Sequence, residues 1–215
     1  MFTTLNIAYF HKYHMLYDLI ASFIQREMKV HHLQLHHHPD PVSLLNAIKG
    51  KSIDLVIINS ASIFDGFFRE TEIRKMLSAL SKNKHITTIF FAQNLKPMFL
   101  KKISETGVSI MLSAHDSPHE LIAALMNKLK LARPEPYISS TLETQLQQVN
   151  DELTAKEWEV LNLINQGYSL SEIASKKCRA MSTVSTQKHK AMNKLNLTNE
   201  NELLRFLQQN AFFNY

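Results

Sequence analysis

The chain has 215 residues, one cysteine, four glycines and a formal net charge of +5 at pH 7. One cysteine cannot close an internal disulfide, so few glycines argue against a phosphate-cradling loop, and no apolar run approaches the ~20 residues of a membrane span. The length accommodates two modest domains, the basic balance favours a polyanionic partner, and an opening without a signal-peptide pattern places the expected chain in the cytoplasm, with no membrane partner.

Residues 1–132 alternate between short apolar runs and amphipathic stretches. Strands are expected at Leu5–Phe10, Val30–Leu35, Ile53–Asn59, Ile86–Ala92 and Val108–Leu112. Helices are expected at Met15–Met28, Pro41–Ile48, Phe67–Leu80, Pro97–Thr106 and Pro118–Leu131. Strictly alternating strands and helices imply a five-stranded parallel sheet covered on both faces, because parallel neighbours need crossover connections. Around the second strand stand His31, His32, His36, His37 and His38. Alternation would put His32, His36 and His38 on one face, which raises metal binding or a pH-sensitive interface. No cysteine or nearby carboxylate completes a ligand set, so the expectation is solvated histidines, with no metal and no cofactor.

Residues 133–151 carry two prolines, paired serines and a polar run, and read as a linker with a short helix in Thr141–Val149. Residues 152–215 then read as four helices. Thr154 and Glu157 have capping-box spacing, which starts a helix at Ala155; Gly167 ends it near Gln166. Ser169 or Ser171 caps a second, shorter helix. Ser182 or Thr183 caps a third that runs to about Leu195, and a fourth spans about Glu200 to Gln209. The second and third are close enough for a helix-turn-helix.

On the third helix Val184, Ala191, Met192 and Leu195 form the apolar stripe. Ser182, Ser185, Thr186, His189 and Asn193 lie opposite, short hydrogen-bonding groups of the kind that read base edges in a major groove. Lys176, Lys177, Arg179, Lys188, Lys190 and Lys194 surround them, and no carboxylate occurs between Glu172 and Glu200. That is the cationic footprint phosphate neutralisation requires, whereas the plainer reading is a solvated helix face.

The segment is similar to the LuxR/FixJ (NarL-type) output domain, and within it to the RcsB-like branch. The resemblance rests on Leu153-Thr154 with Glu157, Val160-Leu161, Gly167, Glu172-Ile173-Ala174, Thr183-Val184-Ser185, Gln187-Lys188, Ala191-Met192 and Lys194-Leu195. It implies double-stranded DNA as partner, Ser185, Thr186 and His189 as base readers, and Thr183, Lys188, Lys190 and Lys194 as phosphate contacts, with Ser182 at the helix start. It also implies pairing with itself or with an RcsB-like response regulator. Lys177 stands where the family usually places a buried leucine. Either its stem reaches solvent while Cys178 or Met181 fills the gap, or the second helix ends early. Cys178 itself reads as a small buried filler. Phe206, Phe212, Phe213 and Tyr215 near the end either cover a dimer surface or pack on the last helix.

The unit ahead of it resembles the receiver domain of response regulators, on topology and on Asp54-Leu55-Val56-Ile57-Ile58 and Ser117-Pro118-His119-Glu120-Leu121. The resemblance puts an acidic pair after the first strand and a phosphoacceptor aspartate after the third. Aligned by strand, those positions are Phe10, His11 and Asn59, the switch hydroxyl is Ala92, and the lysine is near Ser113 or Ala114. Asp65 is a nearby carboxylate that alone could not assemble the site. The resulting expectation is a non-enzymatic regulator with a degenerate receiver, independent of phosphorylation. The alternative is a protein-interaction antagonist that captures a related regulator and never touches DNA.

Overall fold

Strand β1 (Thr4–Phe10) runs parallel to β2 (His32–His38), from Thr4 opposite His32 to Phe10 opposite His38. On its other side it meets β3 (Leu55–Asn59), with Ile7 opposite Leu55 and Phe10 opposite Ile58. Strands β4 (Thr87–Ala92), β5 (Ile110–Ser113) and β6 (Tyr137–Ile138) follow outward, and every pair is parallel, in the order β2-β1-β3-β4-β5-β6. The computed structural model describes residues 4–11, 17–28, 32–50, 52–64, 66–131, 135–147 and 153–211. Within them the chain divides into two compact units, Met1–Gln147 and Gln148–Tyr215.

The crossovers of the first unit are α1 (Tyr17–Met28), α2 (Pro41–Lys49), α3 (Ser60–Phe64), α4 (Glu70–Lys82), α5 (Pro97–Ser104) and α6 (Pro118–Leu131). Leu55 to Ile58 are all buried, as a central parallel strand covered on both faces requires. Ile7, Tyr9, Ile57, Ile89 and Leu112 share a core with Ile24 of α1 and Leu121, Ala124 and Leu125 of α6. Each such fully buried aliphatic chain contributes roughly 2 kcal/mol of transfer free energy. Asp54 sets the register at the amino edge: its carboxylate accepts from the Asn6 amide (2.8 Å), its amide donates to the Asn6 carbonyl, and its carbonyl accepts from the Thr87 amide. Asn59 therefore falls at the carboxy edge, where open α/β sheets place their ligand crevice.

Three expectations need correction. The second strand is displaced to His32–His38, with Val30 and His31 outside the described residues. It is an edge strand whose side chains alternate between exposed and half-buried, so polar residues are tolerated where an apolar run was sought. The sheet has six strands, and the stretch read as a linker belongs largely to the first unit. Tyr137 and Ser139 donate backbone bonds to Ser109 and Met111, which adds β6 beside β5, and α7 (Ser140–Gln147) follows with Leu142 buried. Side chains fasten the extension: the Tyr137 hydroxyl donates to Glu120 (2.5 Å) and the Thr141 hydroxyl to Asp116 (2.6 Å). Helix α3 was also unforeseen; the Asn59 side-chain oxygen accepts from the Ala61 amide (2.9 Å) and so satisfies a donor of its first turn.

The second unit holds α8 (Ala155–Asn165), α9 (Leu170–Lys176), α10 (Met181–Lys194) and α11 (Glu200–Ala211). Val160, Leu163, Ile173, Ala174 and Val184 form the core between the first three. Phe206 of α11 is buried and stacks on Trp158 of α8 at 6.1 Å, so it packs within the unit; Phe212, Phe213 and Tyr215 lie outside the described residues. No helix among the described residues is long and apolar enough to cross a membrane.

Candidate nucleic-acid interface

Two capping boxes start the helices that carry the site. The Glu157 amide donates to the Thr154 hydroxyl, while the Thr154 amide donates to the Glu157 carboxylate (2.8 Å); Ser169 and Glu172 repeat the arrangement on α9. Three helices then end in the same way. After α8, Gly167 and Tyr168 donate to Ile164 and Leu163; after α9, Cys178 and Arg179 donate to Ser175 and Ala174; after α10, Asn196 and Leu197 donate to Asn193 and Met192. Each is a Schellman closure with a left-handed residue at its hinge, Gly167 (φ 90°), Cys178 (φ 49°) or Asn196 (φ 51°). The α9 closure turns the chain into α10 and thereby fixes the helix-turn-helix.

Helix α10 begins two to three residues earlier than the expected Ser182 or Thr183 cap would place it. Its N-cap is Ala180, without a side-chain hydrogen bond, so Ser182 and Thr183 sit inside the first turn and cap nothing. The Thr183 amide already donates to the Ala180 carbonyl, while the Met181 and Ser182 amides have no partner among the described residues and stay available to an outside acceptor at the positive end. Ser182, Thr186, His189 and Asn193 recur at intervals of four, three and four residues and are all exposed, a single outward row, with Thr183 and Lys190 beside it. Ser185 is half-buried. The Thr186 hydroxyl donates to the Ser182 carbonyl (2.8 Å), and His189 Nδ1 lies 2.9 Å from the Ser185 carbonyl, which holds both side chains against the helix.

Residues 151–207 match the family model for bacterial regulatory proteins, luxR family. The carboxy-terminal unit is a LuxR-family domain. The chain is also 30% identical over 125 residues to the transcriptional regulatory protein RcsB of Escherichia coli (strain K12), an alignment that spans 57% of this chain and 58% of the relative's length. Among solved structures, RcsB from Salmonella enterica serovar Typhimurium bound to promoter rprA in the presence of phosphomimetic BeF3- superposes with a TM-score of 0.72 at 21% identity, covering 95% of this chain and 98% of that one. A structure of two RcsB dimers bound to two parallel DNAs gives 0.71 at 21% identity, covering 96% and 98%. The architecture, a receiver-like parallel sheet followed by the LuxR-family unit, is RcsB-like.

Inside the LuxR-family unit the cationic residues divide into two groups. Lys188 is only 9% exposed and is ion-paired with Glu200 of α11. Lys194 reaches across to Glu157 (2.9 Å), and Lys177 and Arg179 both hold Glu159 (2.5 and 3.0 Å). Burial alone would raise the Glu157 carboxyl, but Lys194 and the Thr154 bonds outweigh it and keep the group below the ordinary carboxylate value. The Lys177 pair holds Glu159 low as well. The Lys188 stem, expected among the phosphate contacts, lies on the packed side of α10. Lys194 is half-buried and bound at its tip. Lys190 is exposed and forms no ion pair among the described residues. Lys176 lies over the Tyr168 ring, 4.1 Å from its centre.

The same arrangement accounts for the departure at Lys177. Helix α9 ends at Lys176, Lys177 is its C-cap, and the ammonium lies against Glu159, so no gap awaits filling. Cys178, expected to be buried, is exposed, and Met181 is 57% exposed at the start of α10. Met181, the other candidate filler of that gap, stands at the surface because no gap forms there; its apolar tip suits a thymine methyl group. The open amides of α10 were missed because two hydroxyls nearby looked like caps.

In the receiver-like unit, Phe10 and Ala92 are buried, and His11 and Asn59 are half-exposed at the carboxy ends of their strands. Ser113 is buried, and Asp116 beside it accepts from the Ser113 amide (2.7 Å) and from Thr141. Asp65 lies outside the described residues. His32 and His36 are exposed along the β2 edge, whereas His38 at its end is half-buried, and its Nε2 has no hydrogen-bond partner among the described residues. His37 Nε2 donates to the His11 carbonyl (2.5 Å). Among the described residues no group of three or more His, Cys, Asp or Glu side chains could hold a metal.

Proposed function

We propose that this chain is a cytoplasmic DNA-binding transcriptional regulator whose α10 enters the major groove. The observation that carries the reading is the exposed row Ser182, Thr186, His189 and Asn193 on a helix whose amino end lacks a side-chain cap. Thr186 and His189, with Ser185 at the margin, read base edges; Ser182, Thr183, Lys190 and the first amides of α10 take phosphates, with Lys194 contributing when its tip swings outward. Lys188 has a structural part, fastening α10 to α11.

The regulator works without an acyl phosphate at Asn59. A carboxamide is not a carboxylate nucleophile, and Phe10 and His11 supply no acidic pair to hold Mg²⁺ beside it. Control then comes through protein contacts, supply of the chain or another ligand. The partner is a second copy or an RcsB-like response regulator, with the receiver-like unit mediating the contact; the RcsB dimers on DNA support a two-fold arrangement of half-sites.

Footprinting on genomic fragments with the purified chain, alone and mixed with a phosphorylatable RcsB-like regulator, tests the reading. Protection by the chain alone supports a homodimer, and protection only in the mixture supports the auxiliary role. Absence of both overturns it in favour of the second reading, an antagonist that titrates a related regulator. One observation favours that alternative: Lys177, Arg179, Lys188 and Lys194 are engaged by Glu157, Glu159 and Glu200, which leaves fewer cations for phosphate than the sequence promises.

A further inference from the structure

The contrast with the receiver-like unit points to a separate anion site. Helices α2 and α4 flank an open surface groove of about 660 Å³ whose lining includes Leu45, Lys49, Arg74, Lys75, Ser78 and Lys82. Four of these are cations and none of the lining residues is a carboxylate. Arg74 is paired with Glu70 one helical turn away. Lys49, Lys75 and Lys82 are exposed and, among the described residues, have no ion pair, unlike most of the basic side chains around the helix-turn-helix. Like charges gathered in a concavity repel one another and focus a positive potential into it, an arrangement that an anion relieves.

We propose that this groove binds a small, multiply phosphorylated molecule, independently of DNA. The size lies in the ligand range of roughly 300–1,000 Å³. The Leu45 and Ala79 side chains offer an apolar floor for the body of such a ligand, the Ser78 hydroxyl a donor, and the lysines point charges for its phosphates. Lys49 and Lys82 come from the last turns of two different helices, so one anion held between them ties α2 to α4. A site of this kind would give the unit an input that does not pass through Asn59.

Isothermal titration calorimetry on the full chain at physiological salt, with inorganic pyrophosphate and with ATP as probes, tests this. Saturable binding is expected, weakened roughly tenfold or more by the Lys49→Gln/Lys82→Gln pair, since each lost charge-assisted bond removes about that much affinity. Lys156→Gln, an exposed lysine of α8, should leave it unchanged. The proposal is overturned if the heats match those of sulfate at equal ionic strength, if Lys156→Gln weakens binding equally, or if polyglutamate binds and neither phosphate probe does. Because the readout is binding to the small molecule, its failure is distinguishable from failure of DNA recognition.

Discussion

Lys194 at the end of α10 places its ammonium 2.9 Å from Glu157 Oε2 at the start of α8, and Glu157 is 5% exposed. One carboxylate thus completes a capping box and anchors the helix that faces outward. Removing one member of such a pair leaves a buried charge, so Lys194→Met should cost the carboxy-terminal unit about 2–3 kcal/mol by chemical denaturation. Because the folded Glu157 carboxyl lies below its ordinary value of 4.5, the stability it provides is complete above that pH and is lost as pH falls through the folded value. In Lys194→Met that acid-side loss should flatten, which thermal melts between pH 6 and pH 3 would reveal.

Lys188 and Lys190 are two residues apart and should behave oppositely. Lys188→Glu sets a carboxylate against Glu200 on the packed side of α10, so a fall in Tm is expected with DNA binding lost as a consequence. Lys190→Glu should leave stability within about 0.5 kcal/mol and still lower DNA affinity at least tenfold, with the slope of log affinity against log salt reduced by about one. Fluorescence anisotropy across a salt series, paired with melting curves, separates the two. Equal Tm losses would refute the division of roles.

Cys178 and Asn196 occupy equivalent hinges with positive φ. The left-handed conformation costs an ordinary side chain roughly 1–2 kcal/mol and asparagine less, whereas glycine adopts it freely but loses more entropy on folding. Cys178→Gly should therefore stabilise the unit by up to about 1 kcal/mol, and Asn196→Gly by less. Calorimetric melting of the two variants checks the order.

His38 lies half-buried at the carboxy end of β2. Burial, and then the neighbouring His36 and His37, push its pKa below 6.5, while Asp40 acts in the other direction. Below that value the unfolded chain takes up a proton that the folded chain resists, so the stability of the receiver-like unit should fall as pH drops below 6.5. His38→Phe should reduce this dependence, and thermal melts from pH 7.5 to pH 5.5 would measure it. An unchanged slope would place the proton uptake elsewhere.

The periodic parts of the chain were legible in the sequence. Buried runs such as Leu55–Ile58, the Thr154–Glu157 spacing and the Val184 to Met192 stripe each depend on neighbours within a turn or a strand, and they formed as read. The outward positions of Thr186 and His189 followed from the same periodicity. What escaped depended on distant partners. Tyr137 and Ile138 are too short a run to signal a strand without β5 beside them, and the inward turn of Lys188 depends on Glu200, twelve residues away on the next helix. Cys178 looked like a core filler because nothing local announces a left-handed hinge in a non-glycine residue.

The three matching helix ends are closed by main-chain amides and carbonyls, and the start of α10 asks nothing of the side chains at 182 and 183. The direction of α10 is consequently set by backbone closures together with the Lys194–Glu157 and Lys188–Glu200 pairs, none of which uses a side chain of the outward row. If the outward row reads DNA as proposed, it could be rewritten for a different operator without loosening the scaffold, whereas drift at Glu157 or Glu159 would disturb the packing.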